Sequence, residues 1–173
     1  PFHTSIYRAR PDVRSILHSH SRLSRMFSLS HRKLRGLISS SAPDWQGGLP
    51  LYRAAGLITT VERGAALAKV LGNSSAALLR GHGDVTATGS IKNTVLKAIT
   101  LKQNADVLHE VISHGGEIEL WNESDLADWA NVQRASLSPA AIEALGNRAW
   151  DYYVARVNGR LAGLLHPEKP WQA

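Results

Sequence analysis

His18 and His20, one residue apart, close the short apolar run Ser15-Ile16-Leu17. Imidazole is the commonest protein metal ligand. On a strand alternate side chains share a face, so a His-X-His pair at a strand end presents two ring nitrogens side by side. Two imidazoles are half of a metal site, and the third candidate is His82 in Arg80-Gly81-His82-Gly83. Three neutral imidazoles would hold a divalent ion and leave positions open, as a catalytic ion requires. Spacing alone also allows ordinary structural histidines. His31, His109, His114 and His166 lie in polar or helical contexts and read as surface or capping residues. The chain has no cysteine, which excludes disulfides and thiolate ligands, so any transition-metal site must use His, Asp or Glu.

The elements that must position these rings follow from the flanking sequence. Thr4 to Arg10, centred on Ile6 and Tyr7, reads as a strand. Pro11-Asp12 then turns the chain into the strand that carries the histidine pair. Leu23, Met26, Phe27 and Leu29 outline a short helix over 21–29, leaving the site. Residues 39–50 are rich in Ser, Gly and Pro and predict an exposed loop, with Trp45 as a packing anchor. Thr59-Thr60-Val61-Glu62 fits a capping box with Thr59 as N-cap, opening a helix that ends at Gly72-Asn73.

Ala76-Ala77-Leu78-Leu79 suits a central buried strand with His82 just past its end, and Val85 to Thr88 suits another strand. Glycines on both sides of His82 let the backbone take unusual angles and let another group approach closely. Ser90 caps a long helix whose apolar face is Ile91, Val95, Ala98, Ala105, Leu108 and Ile112, stopped by Gly115-Gly116. A weaker amphipathic helix spans 122–135. Ser138-Pro139 opens the last one, with Ile142, Leu145, Ala149, Tyr153 and Val157 along one side and an end near Gly159. The tail over 167–173 reads as irregular. Strands and helices are mixed, so the class is α/β or α+β.

With 173 residues, 43% hydrophobic and 20% charged, the chain can bury a core as a single domain over 1–173. No apolar run approaches the roughly 20 residues that span a bilayer. The net charge of +6 invites a nucleic-acid reading. The densest positive stretch, Arg22 to Arg35, has Phe27 as its only aromatic and carries no nucleic-acid motif, so it reads as a solvated or anion-attracting face.

The run His3-Thr4-Ser5-Ile6-Tyr7-Arg8-Ala9-Arg10-Pro11-Asp12-Val13, followed by His18-Ser19-His20-Ser21, resembles the class II aldolase/adducin superfamily. So does Ala77-Leu78-Leu79-Arg80-Gly81-His82-Gly83, with His82 lying 62 positions after His20. The match runs from residue 2 to about 115, and the helices over 116–173 fit only in general character. The resemblance implies an α/β/α sandwich around a mainly antiparallel sheet. It further implies a homotetramer with active sites between subunits, and zinc or manganese, or else iron or cobalt, on His18, His20 and His82; the absence of cysteine is compatible with a cytoplasmic setting. The adducin branch, a group of interaction modules, has lost these ligands. A chain that keeps all three is expected on the enzymatic branch, as a carbon–carbon lyase whose ion steadies an enolate or carbanion.

The Arg-Gly-His-Gly and Tyr-Arg-Ala-Arg-Pro-Asp runs resemble members that decarboxylate hydroxylated aromatic or heteroaromatic carboxylates. The segment Arg148-Ala149-Trp150-Asp151-Tyr152-Tyr153 does too, and either Tyr152 or Tyr153 would line the pocket or donate a proton there. Sugar-phosphate aldolase or 4-epimerase activity is the alternative within the family, so the small-molecule partner is a carboxylate or a sugar phosphate. Counting back from His3, the family's acid/base glutamate is expected about two residues before Pro1, in an N-terminal part missing from the sequence. Glu62, Asp12 and Asp84 are the nearest carboxylates, and none occupies the family's position.

Overall fold

The computed structural model describes residues 1–115 and 117–165, the side chains of 134 and 161–165 excepted. Two compact units divide the chain, one over Pro1–Asp128 and one from Trp129 onward. The first unit holds four strands, β1 (Ser15–Ser19), β2 (Leu51–Tyr52), β3 (Ala76–Leu79) and β4 (Gly83–Thr88), in the order β1-β4-β3-β2. β4 pairs antiparallel with both β1 and β3, and β2 pairs parallel with β3. Five helices precede residue 115 among the described residues: α1 (Phe2–Ala9), α2 (Arg22–Leu29), α3 (Ala42–Trp45), α4 (Val61–Leu71) and α5 (Ile91–Ser113).

Strand alternation divides the apolar side chains between two cores. Ile16, Ala77, Leu79, Val85 and Ala87 face one core with Ile6 of α1 and Leu67 and Leu71 of α4. Leu51, Ala76 and Leu78 face the other, with Leu23 and Phe27 of α2, Trp45 of α3 and Leu101 and Leu108 of α5. Helices therefore cover both faces of a mainly antiparallel sheet, the α/β/α sandwich that the family resemblance implies.

Several local expectations are corrected. Residues 4–10 are not a strand: α1 is a helix, because Phe2 and Ile6, one helical turn apart, face the same core. The loop over 39–50 is not generally exposed. It contains α3 and buries Ser41, Ala42, Trp45 and Leu49. Its anchor is Asn104, fully buried on α5, whose Oδ1 accepts from the Leu37 amide at 2.7 Å and the Ser41 hydroxyl at 2.6 Å. The Asn104 Nδ2 donates to the Arg35 carbonyl at 2.6 Å, so both ends of the amide are satisfied in the core. Trp45 is the packing anchor expected of it, 2% exposed with Nε1 donating to Ser75 Oγ at 3.2 Å.

The α4 N-cap is Thr60 rather than Thr59, with its hydroxyl accepting from the Arg63 amide at 3.3 Å. Ser90 caps α5 as expected, accepting from the Asn93 amide at 3.2 Å, but Ile91 in the first turn is exposed and Leu101 takes its place in the core. Of the predicted stop of α5, Gly115 follows the C-cap His114 and Gly116 lies outside the described residues. α6 (Glu123–Ser136) forms where the weaker amphipathic helix is expected. In the second unit α7 (Pro139–Leu165) runs through Gly159 instead of ending there, since a lone glycine lowers helix stability without breaking the hydrogen-bond ladder. His166 and the tail over 167–173 lie outside the described residues. Among the described residues no helix is long and apolar enough to cross a membrane.

Candidate metal centre

β1 ends at Ser19, and β4 begins at Gly83 opposite it, so the strand end carrying His18 and His20 meets the turn carrying His82. The approach is close: a Cβ on Gly83 would lie 1.9 Å from the Ser19 carbonyl oxygen, so only glycine fits. Gly81, at φ +68°, turns the chain out of β3 in the left-handed region and delivers the His82 ring to the pair. The turn is pinned by the Gly81 amide donating to Ser28 Oγ at 2.8 Å and the His82 amide donating to the Leu79 carbonyl at 2.9 Å.

The three rings converge through Nε2. His18 Nε2 and His20 Nε2 are 3.1 Å apart, and His82 Nε2 and His20 Nε2 are 2.9 Å apart. His18 Nδ1 lies 2.7 Å from the Asp84 carbonyl oxygen, which can only accept, so Nδ1 carries the proton and the neutral ring leaves Nε2 as a bare lone pair. That fixes the tautomer and aims the ligand atom, the usual arrangement behind a metal-binding histidine. Burial, and then the neighbouring His18, His20 and Arg25, hold the His82 imidazole below its ordinary value, which favours the neutral ring that metal binding needs.

Neutral rings cannot make both short contacts as ordinary hydrogen bonds. With His18 Nε2 bare, His20 Nε2 must carry a proton to bond it, and then offers no lone pair to His82. A cation drawing on three lone pairs removes the conflict. The ligand atoms of the three rings all lie within 4.8 Å of one another, close enough for one ion to be shared. His18, His20 and His82 are the group of ligand-type side chains that could hold a metal ion among the described residues.

Phe2 packs edge-on to the His18 ring at 5.4 Å. Asp84 is 2% exposed, and its carboxylate accepts from Ser19 Oγ at 2.8 Å, on the opposite face of the sheet from His18. Arg25 Nε donates to the His82 carbonyl at 3.1 Å. Sequence reasoning missed these supports. Phe2 was hidden because residues 4–10 read as a strand that leaves it outside, while Asp84 and Arg25 acquire their roles only through the β1–β4 register and the packing of α2.

Tyr152 and Tyr153 belong to the second unit, adjacent on α7 with ring centroids 5.1 Å apart. Tyr152 is exposed, its phenolic oxygen accepting from Arg156 at 2.7 Å. His31 and His114 are exposed, and His114 Nδ1 bonds the Glu110 carbonyl at 2.7 Å, as expected of a cap.

The chain is similar to the 3,4-dihydroxyphthalate decarboxylase of Arthrobacter keyseri, with 30% identity over 132 residues, or 74% of this chain and 53% of that protein. The Rhodococcus jostii enzyme of the same name is 30% identical over 136 residues, covering 76% of this chain and 55% of the relative. The chain thus spans about half the length of these relatives. Among solved structures, an aldolase II superfamily protein from Pseudomonas syringae superposes with a TM-score of 0.70 at 20% identity, over 90% of this chain and 62% of the other. An L-fuculose 1-phosphate aldolase from Glaciozyma antarctica does so with a TM-score of 0.66 at 22% identity, over 99% of this chain and 60% of the other. These two establish the fold. The model of the class II aldolase and adducin N-terminal domain matches residues 1–109, which include all three converging histidines, and the chain belongs to that family.

Proposed function

We propose that this chain forms the metal-binding part of a divalent-metal-dependent carbon–carbon lyase, a decarboxylase of a hydroxylated aromatic or heteroaromatic carboxylate. The observation that carries the reading is the convergence of the His18, His20 and His82 Nε2 atoms, in a chain similar to two dihydroxyphthalate decarboxylases. His18, His20 and His82 would be the ligands, with zinc or manganese, or else iron or cobalt, as the ion. When bound, that ion supplies Lewis acidity to substrate oxygens and draws in the negative charge left on carbon as carbon dioxide departs.

The chain's own residues position the ligands. The Asp84 carbonyl keeps the His18 Nε2 lone pair available, and Arg25 steadies the His82 backbone. The ring carbon must regain a proton, and the proposal assigns it to the phenol of Tyr152 or Tyr153 as general acid. Assembly as a cytoplasmic homotetramer, with active sites between subunits, belongs to the same reading. The deciding experiment incubates metal-loaded protein with 3,4-dihydroxyphthalate, other dihydroxybenzoate-type acids and ketose phosphates. Carbon dioxide release from an aromatic acid, abolished by chelation, is the expected result. Cleavage of a ketose phosphate with no release from any aromatic acid would overturn the decarboxylase assignment.

A further inference from the structure

A cavity of about 330 Å³ opens beside the imidazoles, a size in the range of small-molecule sites. His20, His82, Arg25, Arg80 and Leu57 line it, Leu57 being 64% exposed, and none of its lining residues is acidic. Arg80 directly follows β3, and its amide is fixed to the Tyr52 carbonyl at 3.0 Å, so its backbone cannot drift from the site. Arg25 spends Nε on the His82 carbonyl at 3.1 Å, which leaves the two terminal nitrogens of its fork. Neither guanidinium has a carboxylate ion-pair partner among the described residues.

Two permanent cations beside a ligand cluster form an anion-reading pair, and a guanidinium fork matches the plane of a carboxylate. We propose that Arg25 and Arg80 form a specificity subsite that holds a second carboxylate of the substrate while the imidazole side takes the reacting end. Leu57, which lines the same cavity, gives the aromatic ring an apolar surface. The inference rests on the lyase reading and narrows it, because the preferred substrates become aromatic dicarboxylates rather than monocarboxylates.

The test titrates the full chain with phthalate, benzoate and phenyl phosphate, with and without manganese, by calorimetry. Metal uptake is measured separately. Wild type is expected to bind phthalate at least tenfold more tightly than benzoate. Arg80→Gln is expected to abolish that preference while leaving benzoate affinity and metal uptake within twofold. Arg80→Lys should recover only part of the preference, since it restores charge without the fork. Arg25→Lys should weaken phthalate binding in the same way.

Unchanged phthalate affinity in Arg80→Gln, or an equal loss for phthalate and benzoate, would overturn the subsite. A loss confined to phenyl phosphate would overturn the carboxylate assignment. Failure of wild type to take up metal would count against the lyase reading alone. The metal-free titrations would then still decide the subsite, by whether Arg80→Gln removes the phthalate preference.

Discussion

His18 and Asp84 meet across the β1–β4 ladder, the imidazole Nδ1–H donating to the Asp84 peptide carbonyl at 2.7 Å while the Asp84 carboxylate turns to Ser19 on the other face. The group that orients His18 is therefore backbone. Asp84→Asn is expected to change metal affinity by no more than about threefold, whereas alanine at His18, His20 or His82 should lower it at least about 100-fold. Competition against a chromogenic chelator measures both. Circular dichroism should show the fold intact in the histidine variants.

Gly83→Ala would force a Cβ to 1.9 Å from the Ser19 carbonyl oxygen. The strands must separate at the mouth of the site. The expected cost is about 2–4 kcal/mol in urea unfolding, with a parallel fall in metal affinity.

Thr60 and Thr59 are neighbours with different duties. Only Thr60 accepts from the Arg63 amide at the start of α4. Thr60→Ala should lower stability by about 1 kcal/mol and Thr59→Ala by no more than about 0.3 kcal/mol, in the same unfolding assay.

Arg10 forks onto Asp12 with contacts of 2.8 and 2.6 Å, and its Nη1 donates to the Gly72 carbonyl at 2.6 Å, tying the end of α1 to the end of α4. The hydrogen bond from Arg10 holds the Asp12 carboxyl below its ordinary value of 3.8. A depressed carboxylate contributes stability that is fully present above its unfolded value and is lost as pH falls through the lower folded one. The stability difference between wild type and Asp12→Asn should hold steady near neutrality and close below about pH 4. Asp12 is exposed, so the difference should also shrink in high salt.

Leu67 and Leu101 are 0% and 1% exposed in cores on opposite faces of the sheet. Each alanine variant should cost about 2–5 kcal/mol. The double variant should show additivity within about 0.5 kcal/mol, checked by a thermodynamic cycle.

The sequence carried most of the site because its signals are local. His-X-His at a strand end and a histidine between glycines need only alternation and backbone freedom to be read, and the apolar run Ala76 to Leu79 marks the strand that delivers His82. The failures involve partners distant in sequence. Residues 4–10 carry strand-forming residue types, but Phe2 and Ile6 gain their common face only when α4 is packed against it. The loop over 39–50 is polar and turn-rich in composition. It is drawn inward by Asn104, more than 60 positions away. Arg25 lies in a run that reads as a charged surface, and only the packing of α2 beside His82 brings it to the site.

The two-sided sheet also divides the molecule by its tolerance of change. His18 shares the face of β1 that looks toward α1 and α4, and Phe2 rests against its ring. The core of α3 and α5 lies behind the sheet, shielded from the imidazoles by a layer of hydrogen-bonded backbone. A substitution in that far core reaches the imidazoles only by displacing a strand, although it costs the fold as much as one on the near side. The one crossing point is α2, which packs in that far core through Leu23 and Phe27 yet reaches the imidazole turn through Arg25 and Ser28.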